Sequence, residues 1–338
     1  MTNITYFKGT REEVGFQIGQ SMGDRLEKII NNMVESMDNR FGINRAKLQK
    51  EAMTWFYSIP EDYQKELQGM SKGSGVDLKK IADWYYSDKC IKNGCTSFFI
   101  KVNNNYWAGR NNDYILPKFW DHINIIKVED KIPVMLFGLK GDIFTGTGYN
   151  KEKLWIHYNW LPIWDKPDNT DNVLEPFIFI RKALEESENL KDVEDLINTT
   201  KRTGGMNLFV LDGKKDECTV FECTGQTYIK RLPKGDYIIG ANHYNSLEVP
   251  GEYSFDFNNS NKRQKRVKEL IEKDDFKKAP QDLIDILSDK GVEQNTKRSK
   301  TVYANIACPA QDLIWFAYDG FPAASQSSWE KVRWDWNF

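Results

Sequence analysis

Asn93-Gly94-Cys95-Thr96-Ser97-Phe98-Phe99 opens a strand-like run, and Gly109-Arg110-Asn111-Asn112-Asp113-Tyr114 follows it a short way on. Asn-Gly is a turn signal, and the residues after it are β-branched or aromatic. This pattern places the Cys95 thiol at the first position of a strand. Asn103-Asn104-Asn105 reads as a second turn, with a returning strand at Tyr106–Arg110. A hairpin of this kind brings Arg110 and Asp113 back beside Cys95. A thiol reacts as its thiolate, and a neighbouring cation favours that form. On these residues alone, an inert packed cysteine is the plainer reading.

Working outward, the chain divides at Asn93-Gly94-Cys95 into two textures. Residues 1 to about 94 read as helical. Thr10 with Glu13 forms a capping-box pattern, and Leu26, Ile29, Ile30, Met33, Val34 and Met37 share one helical face. Gly15, Gly19 and Gly23 fall four apart; a side-chain packing stripe is the plainer reading, and close backbone approach is the alternative. Further helices are expected over Lys47–Met53, Glu61–Met70 (broken at Gly73-Ser74-Gly75) and Leu78–Tyr86. After Cys95, strands are expected at Thr96–Val102, Ile123–Val128, Val134–Gly138, Ile143–Gly148, Leu154–Trp160, Asn207–Asp212, Thr219–Glu222, Gln226–Arg231 and Tyr237–Asn242. Helices interrupt them at Phe177–Glu186, Val193–Asn198, Asn261–Glu272 and Gln281–Leu287, and Val302–Cys308 with Leu313–Tyr318 reads as a closing hairpin. Short connections favour antiparallel pairing, so the expected class is α+β, with helices layered on sheets.

Composition narrows the chemistry. The 338 residues carry 47 Lys and Arg against 49 Asp and Glu, too balanced for a general nucleic-acid binder. No apolar run is long enough to span a membrane. The start lacks a secretory pattern, so the cytoplasm is the expected location. The five cysteines, an odd number, argue against a disulfide framework. Neither Cys90 and Cys95 nor Cys218 and Cys223 has zinc-knuckle spacing, and His122, His157 and His243 form no metal-binding pair. Phosphate loops and dinucleotide fingerprints are absent. No metal and no cofactor is therefore expected. Many Asn, Lys and Ile residues suggest an AT-rich bacterial genome. A homo-oligomer stays open.

The combination Cys95-Thr96-Ser97 with Gly109-Arg110-Asn111-Asn112-Asp113 resembles the cysteine members of the N-terminal nucleophile hydrolases. It looks most like the acyl-CoA:6-aminopenicillanate acyltransferase family, and is more distantly similar to choloylglycine hydrolases, penicillin V acylases and acid ceramidase. Other segments extend the resemblance. Glu66-Leu67-Gln68-Gly69-Met70 and Gly73-Ser74-Gly75-Val76 look like the family's propeptide. Gly148-Tyr149-Asn150 resembles its G-M-N segment, with Lys153 where Gly is usual. Ala241-Asn242-His243-Tyr244 resembles T-N-H-F, and Ser260-Asn261-Lys262-Arg263 resembles S-x-x-R.

The resemblance implies a four-layer αββα sandwich of two mostly antiparallel sheets. It implies a helical propeptide or α-subunit over residues 1–94 and a catalytic domain over 95–338. It further implies autocatalytic cleavage between Gly94 and Cys95, after which the freed amine serves as base for its own thiol. Asn242, with Asn150, would donate to the oxyanion; Asp113 would orient the amine; Arg110 would hold the thiolate; Arg263 would complete the polar cluster. The implied substrate is a small N-acyl amide, cleaved by hydrolysis or by transfer to an amine, with hydrolysis preferred because water is always present. Phe119, Trp120, Tyr149, Trp155 and Trp160 are candidates for an apolar acyl pocket. Two alternatives compete: a papain-like hydrolase pairing Cys95 with His243 or His157, and a non-catalytic binding protein using Trp155, Trp160 and Trp164.

Overall fold

The hairpin anticipated around Cys95 lies inside the smaller of two large sheets. A computed structural model of the chain describes residues 3–41, 45–90, 94–114, 119–168, 172–273, 278–297 and 299–338. Asn93, read as the first turn residue before Cys95, lies outside them. In chain order, β1 (Asn3–Gly9) precedes five helices: α1 (Arg11–Met22), α2 (Asp24–Phe41), α3 (Arg45–Ser58), α4 (Glu61–Ser74) and α5 (Leu78–Cys90). Strands β2 (Gly94–Val102), β3 (Asn105–Tyr114), β4 (His122–Val128), β5 (Val134–Gly138), β6 (Thr147–Asn150) and β7 (Leu154–Leu161) follow. Then come β8 (Val173–Leu174), α6 (Pro176–Glu186), α7 (Leu190–Thr199), β9 (Lys201–Arg202), β10 (Gly205–Asp212), β11 (Glu217–Cys223), β12 (Tyr228–Arg231) and β13 (Tyr237–Gly240). The chain closes with α8 (Asn258–Lys273), α9 (Gln281–Ser288), β14 (Lys300–Cys308), β15 (Leu313–Ala317), α10 (Ala323–Gln326) and β16 (Glu330–Lys331).

The larger sheet runs β1-β4-β5-β6-β7-β10-β11-β12 and the smaller β13-β2-β3-β14-β15-β16. Their inner faces meet through rings: Phe99 on β2 lies 5.3 Å from Phe209 on β10, and Phe137 on β5 lies 5.5 Å from Phe316 on β15. Helices α8 and α9 cover the outer face of the smaller sheet, where Val267, Ile271, Leu283 and Leu287 pack with Phe98, Ile100 and Ile306. Helix α6 covers the larger sheet, with Leu184 closing onto Gly148. The expected α+β, four-layer αββα architecture is what the chain forms. No helix among the described residues is long and apolar enough to cross a membrane.

Three local readings change. The first residues are not helical: β1 pairs in parallel with β4, from Asn3 opposite His122 to Gly9 opposite Val128. Ile4-Thr5-Tyr6-Phe7 is a β-branched and aromatic run that suits a pleated edge, but it is too short to stand out beside five helices. The run read as a strand from Ile143 enters its sheet only at Thr147. Gly15 and Gly19 of the glycine stripe make a close backbone contact, whereas Gly23, the cap of α1, has open space around it. A Cβ on Gly15 would meet Glu66 O at 1.9 Å and one on Gly19 would meet Met70 O at 2.2 Å. The α4 glycines reciprocate, with Gly69 against Glu12 O and Gly73 against Phe16 O. The capping box at Thr10 and Glu13 is present in full, and α4 ends at Gly75, left-handed at φ 72°.

Candidate active site

Strand register builds the site. Cys95 lies opposite Asn112, Ser97 opposite Arg110, and Gly94 opposite Asp113. Opposed side chains of an antiparallel pair share a face, and successive ones alternate. Cys95 and Arg110 therefore point into the space between the sheets, whereas Asp113 points towards α8. Cys95 is buried; Arg110 Nη2 donates to its Sγ at 3.3 Å, and Sγ in turn donates to Asn112 Oδ1 at 3.7 Å. The guanidinium is fixed from behind. Its Nη1 donates to Tyr303 Oη at 2.8 Å and to Thr147 Oγ1, and its Nη2 also donates to Tyr158 O at 2.9 Å.

Residues far along the chain converge on the main chain at Cys95. Asn242, just past β13, accepts the Cys95 N–H through Oδ1 at 2.8 Å and donates from Nδ2 to Trp160 O at 3.0 Å. Arg263, on α8, donates from Nη1 to Cys95 O at 2.6 Å and to Thr96 Oγ1 at 2.5 Å, and from Nη2 to Asn242 Oδ1 at 2.8 Å. The same guanidinium lies 3.9 Å from Asp113 Oδ2. Asp113 Oδ1 accepts from Thr301 Oγ1 at 2.7 Å, but Oδ2 is buried without a hydrogen-bond partner. That free oxygen lies beside Gly94, 3.2 Å from where a Cβ on the glycine would sit.

Burial governs the electrostatics. It pushes the Asp113 carboxyl up to about 7, against Arg263, Thr301 and Arg110, which pull it down. Burial likewise raises the Cys95 thiol, opposed by Arg110. In the continuous chain the thiol is therefore held with its proton, next to a cation able to receive the thiolate's charge.

The structure gathers Gly94, Cys95, Arg110, Asp113, Asn242 and Arg263, and leaves other expected residues outside. Asn150 is on the opposite face of β6 from Thr147. Its Nδ2 donates to Leu184 O and Ser187 O, both at 2.9 Å, and its Oδ1 accepts from Leu154 N at 3.0 Å. The side chain holds the end of α6 and a turn, so it has no contact with the thiol. Tyr149 and Trp155 join a ring cluster with Trp334 and Trp336 in the core. Phe119 faces Arg25. Only Trp120 and Trp160, of the five candidate pocket aromatics, line the cavity of about 30 Å³ at Cys95. Asp88, from α5, closes another side of that cavity.

Sequence reasoning missed Thr147, Tyr158, Tyr303 and Thr301. Each comes from a strand that only the fold brings near β3, so no local signal could have found them. Asn112 was inside the quoted motif and is the direct cross-strand neighbour of Cys95. The histidines are placed elsewhere. His243 Nδ1 pairs with Ser260 Oγ at 2.6 Å, and His157 Nδ1 accepts from Trp155 Nε1 at 2.9 Å. Burial lowers His243 to about 4 and holds His157 well below the ordinary imidazole value. Neither forms the hydrogen bond to Cys95 that a papain-like dyad needs.

Comparison with known proteins adds a family. The acyl-coenzyme A:6-aminopenicillanic acid acyl-transferase family matches residues 101–321, well over half of the chain. Among solved structures, a variant of the conjugated bile acid hydrolase from Clostridium perfringens superimposes with a TM-score of 0.51 at 13% identity, covering 71% of this chain and 97% of that one. The Caenorhabditis elegans ortholog of N-acylethanolamine-hydrolyzing acid amidase gives 0.49 at 14% identity, covering 64% and 93%. Penicillin V acylase from Agrobacterium tumefaciens gives 0.46 at 12%, covering 67% and 83%. The first of these likenesses shows the shared fold.

Proposed function

The chain belongs to the acyl-coenzyme A:6-aminopenicillanic acid acyl-transferase family, a family of amide hydrolases and acyltransferases, and from that premise we propose that it cleaves its own Gly94–Cys95 bond and then an N-acyl amide. The observation that carries this reading is the pairing at Cys95. Arg110 donates to the sulfur, while Asn242 and Arg263 hold the peptide nitrogen and carbonyl oxygen of the same residue.

In the processing step, Sγ adds to the Gly94 carbonyl carbon. The C–N bond breaks, nitrogen takes a proton, and a thioester links Gly94 to Cys95. Water then hydrolyses the thioester, leaving a Gly94 carboxylate and a Cys95 with free amine and free thiol. Asp113 Oδ2, unpartnered beside Gly94, is the acceptor for that new amine. Placing an ammonium there would reverse the burial that holds Asp113 near 7.

In turnover, the amine takes the thiol proton, with a reference pKa of about 7.7–8.0, and Arg110 stabilises the thiolate. Sulfur adds to the substrate carbonyl, and Asn242 gives a side-chain N–H to the oxyanion. Loss of one such donor typically costs about 10²–10³ in rate. The amine returns its proton to the leaving nitrogen, and water or an acceptor amine takes the acyl group from sulfur. Asn150, committed to α6, has no part in this scheme. The cavity at Cys95 is about the size of one water. A substrate therefore needs the room that release of the chain end at Gly94, with the segment carrying Asp88, would provide.

The test is to incubate purified protein with a panel of N-acyl amides, quench in acid and weigh the fragment beginning at Cys95. An acyl mass on that fragment, absent from Cys95→Ser, supports the reading. Substrate loss with no adduct on Cys95 in quenched samples, and unchanged rates in Cys95→Ala, would refute it.

A further inference from the structure

Asn159 on β7 and Asn207 on β10 are partners in register, fully buried, and unused by the mechanism above. Both reach across from the larger sheet to the smaller. Asn159 Nδ2 donates to Gly240 O at 3.0 Å, while its Oδ1 accepts from Ser97 Oγ at 2.9 Å. Asn207 Nδ2 donates to Ala241 O at 3.0 Å and to His243 O at 3.2 Å, the two carbonyls that flank Asn242.

We propose that this asparagine pair positions Asn242 for catalysis, fixing the bend at Gly240–His243 from the opposite sheet so that the Asn242 side chain meets Cys95. The inference rests on the reading under Proposed function. Ser260 Oγ accepts the Asn242 N–H at 2.7 Å from the helix side, so the bend is held from both sides while the Asn242 side chain meets the Cys95 N–H, Arg263 and Trp160 O. Amide orientation is set by the partners: a flipped Asn207 would place oxygen against two carbonyl oxygens. The arrangement has a cost. Asn207 Oδ1 is buried with no partner, an unfavourable state for an acceptor. Leucine, of similar volume, would remove that orphan but could not hold the two carbonyls. Removing the amide would trade one orphaned acceptor for two carbonyls short of their donor, so positioning is separated from stability by the readout.

The experiment is a double-mutant cycle with Asn207→Leu and Asn242→Ala. Steady-state turnover of the best N-acyl amide is followed, together with hydrogen exchange of peptides spanning residues 240–244 and thermal melting. Asn207→Leu is expected to lower kcat between tenfold and a hundredfold, to leave KM within threefold, and to melt cooperatively a few degrees below wild type. In the Asn242→Ala background it should cost less than twofold, because the route through Asn242 is already gone. Exchange in 240–244 should rise at least tenfold in Asn207→Leu, with the rest of the smaller sheet unchanged. Asn159→Leu is the second variant and should show the same signature if Asn207→Leu fails to fold. Additive losses in kcat, or unchanged exchange in 240–244, would overturn the proposal. A wild-type protein that turns over no N-acyl amide would instead sink the proposed function, and the exchange measurement would still decide the positioning claim.

Discussion

Two buried ionic clusters in this molecule look alike by composition and behave oppositely. One joins the helical segment before Cys95 to the rest of the chain. Arg11 on α1 donates to Glu66 on α4 at 3.0 Å and to Glu185 on α6 at 2.8 and 2.6 Å. Arg181 bonds the same two carboxylates, and Tyr63 Oη donates to Glu185 at 3.1 Å. Every oxygen of Glu66 and Glu185 has a donor. Although burial pushes Glu185 up, Arg181 and Arg11 bring its carboxyl below the ordinary value. Each cluster leaves one guanidinium Nε without a hydrogen bond, that of Arg11 in the first and of Arg110 around Cys95, but the second also leaves a carboxylate oxygen without one, Asp113 Oδ2, and there burial wins. Satisfied charges mark a joint. In the proposed function, the open Asp113 oxygen is where the charge of the new amine would arrive.

The largest test of this contrast is removal of the thiol. Cys95→Ala should abolish cleavage at Gly94 and all amide turnover while keeping the fold, which far-UV circular dichroism and gel electrophoresis will report. Next comes the joint. Glu185→Leu leaves two buried guanidinium groups short of a partner and should destabilise by about 3–5 kcal/mol, read as a lower urea midpoint. Equal stability to wild type would show that the network does not fasten the segment.

The third test uses pH. A carboxyl raised to about 7 from 3.8 binds its proton more tightly in the folded chain. Its effect on stability is therefore most favourable below the ordinary value and is lost as pH rises towards and through 7. Glu185, lowered when folded, has the reverse dependence and loses its contribution in acid. In a Cys95→Ala background, which cannot cut itself, Asp113→Asn should gain in urea midpoint relative to its parent as pH rises from 4 to 8. His122 and His243, both lowered by burial, act in each protein and cancel in the difference. A flat difference would contradict the assignment of Asp113 as a carboxyl raised by burial against its neighbours. The smallest effect is at the surface. The exposed pair Lys80 and Glu27 links α5 and α2 at 2.8 Å, and Lys80→Ala should leave the melting temperature unchanged.

What could be read from the sequence follows from how local each signal is. Cys95, Arg110 and Asp113 sit on one hairpin whose turn and strand residues are contiguous, so spacing alone predicts their meeting. Asn242 and Arg263 came from resemblance, and the structure puts both on the Cys95 main chain. Asn150 came the same way, but one position along β6 reverses the face of a side chain, and it ended on α6. Tyr149 and Trp155 are aromatic like Trp120 and Trp160, and composition cannot separate a core ring from a cavity ring. Asn159 and Asn207 act through carbonyls on another sheet, an arrangement that no single-strand pattern records.

The measurement that bears most directly on the central claim is the intact mass of the purified wild-type chain under denaturing conditions. Two masses, for residues 1–94 and 95–338, are the predicted result, with the second carrying a free amine and one reactive thiol at Cys95. A single uncut 338-residue mass that persists after long incubation across pH 4 to 8 would contradict the account.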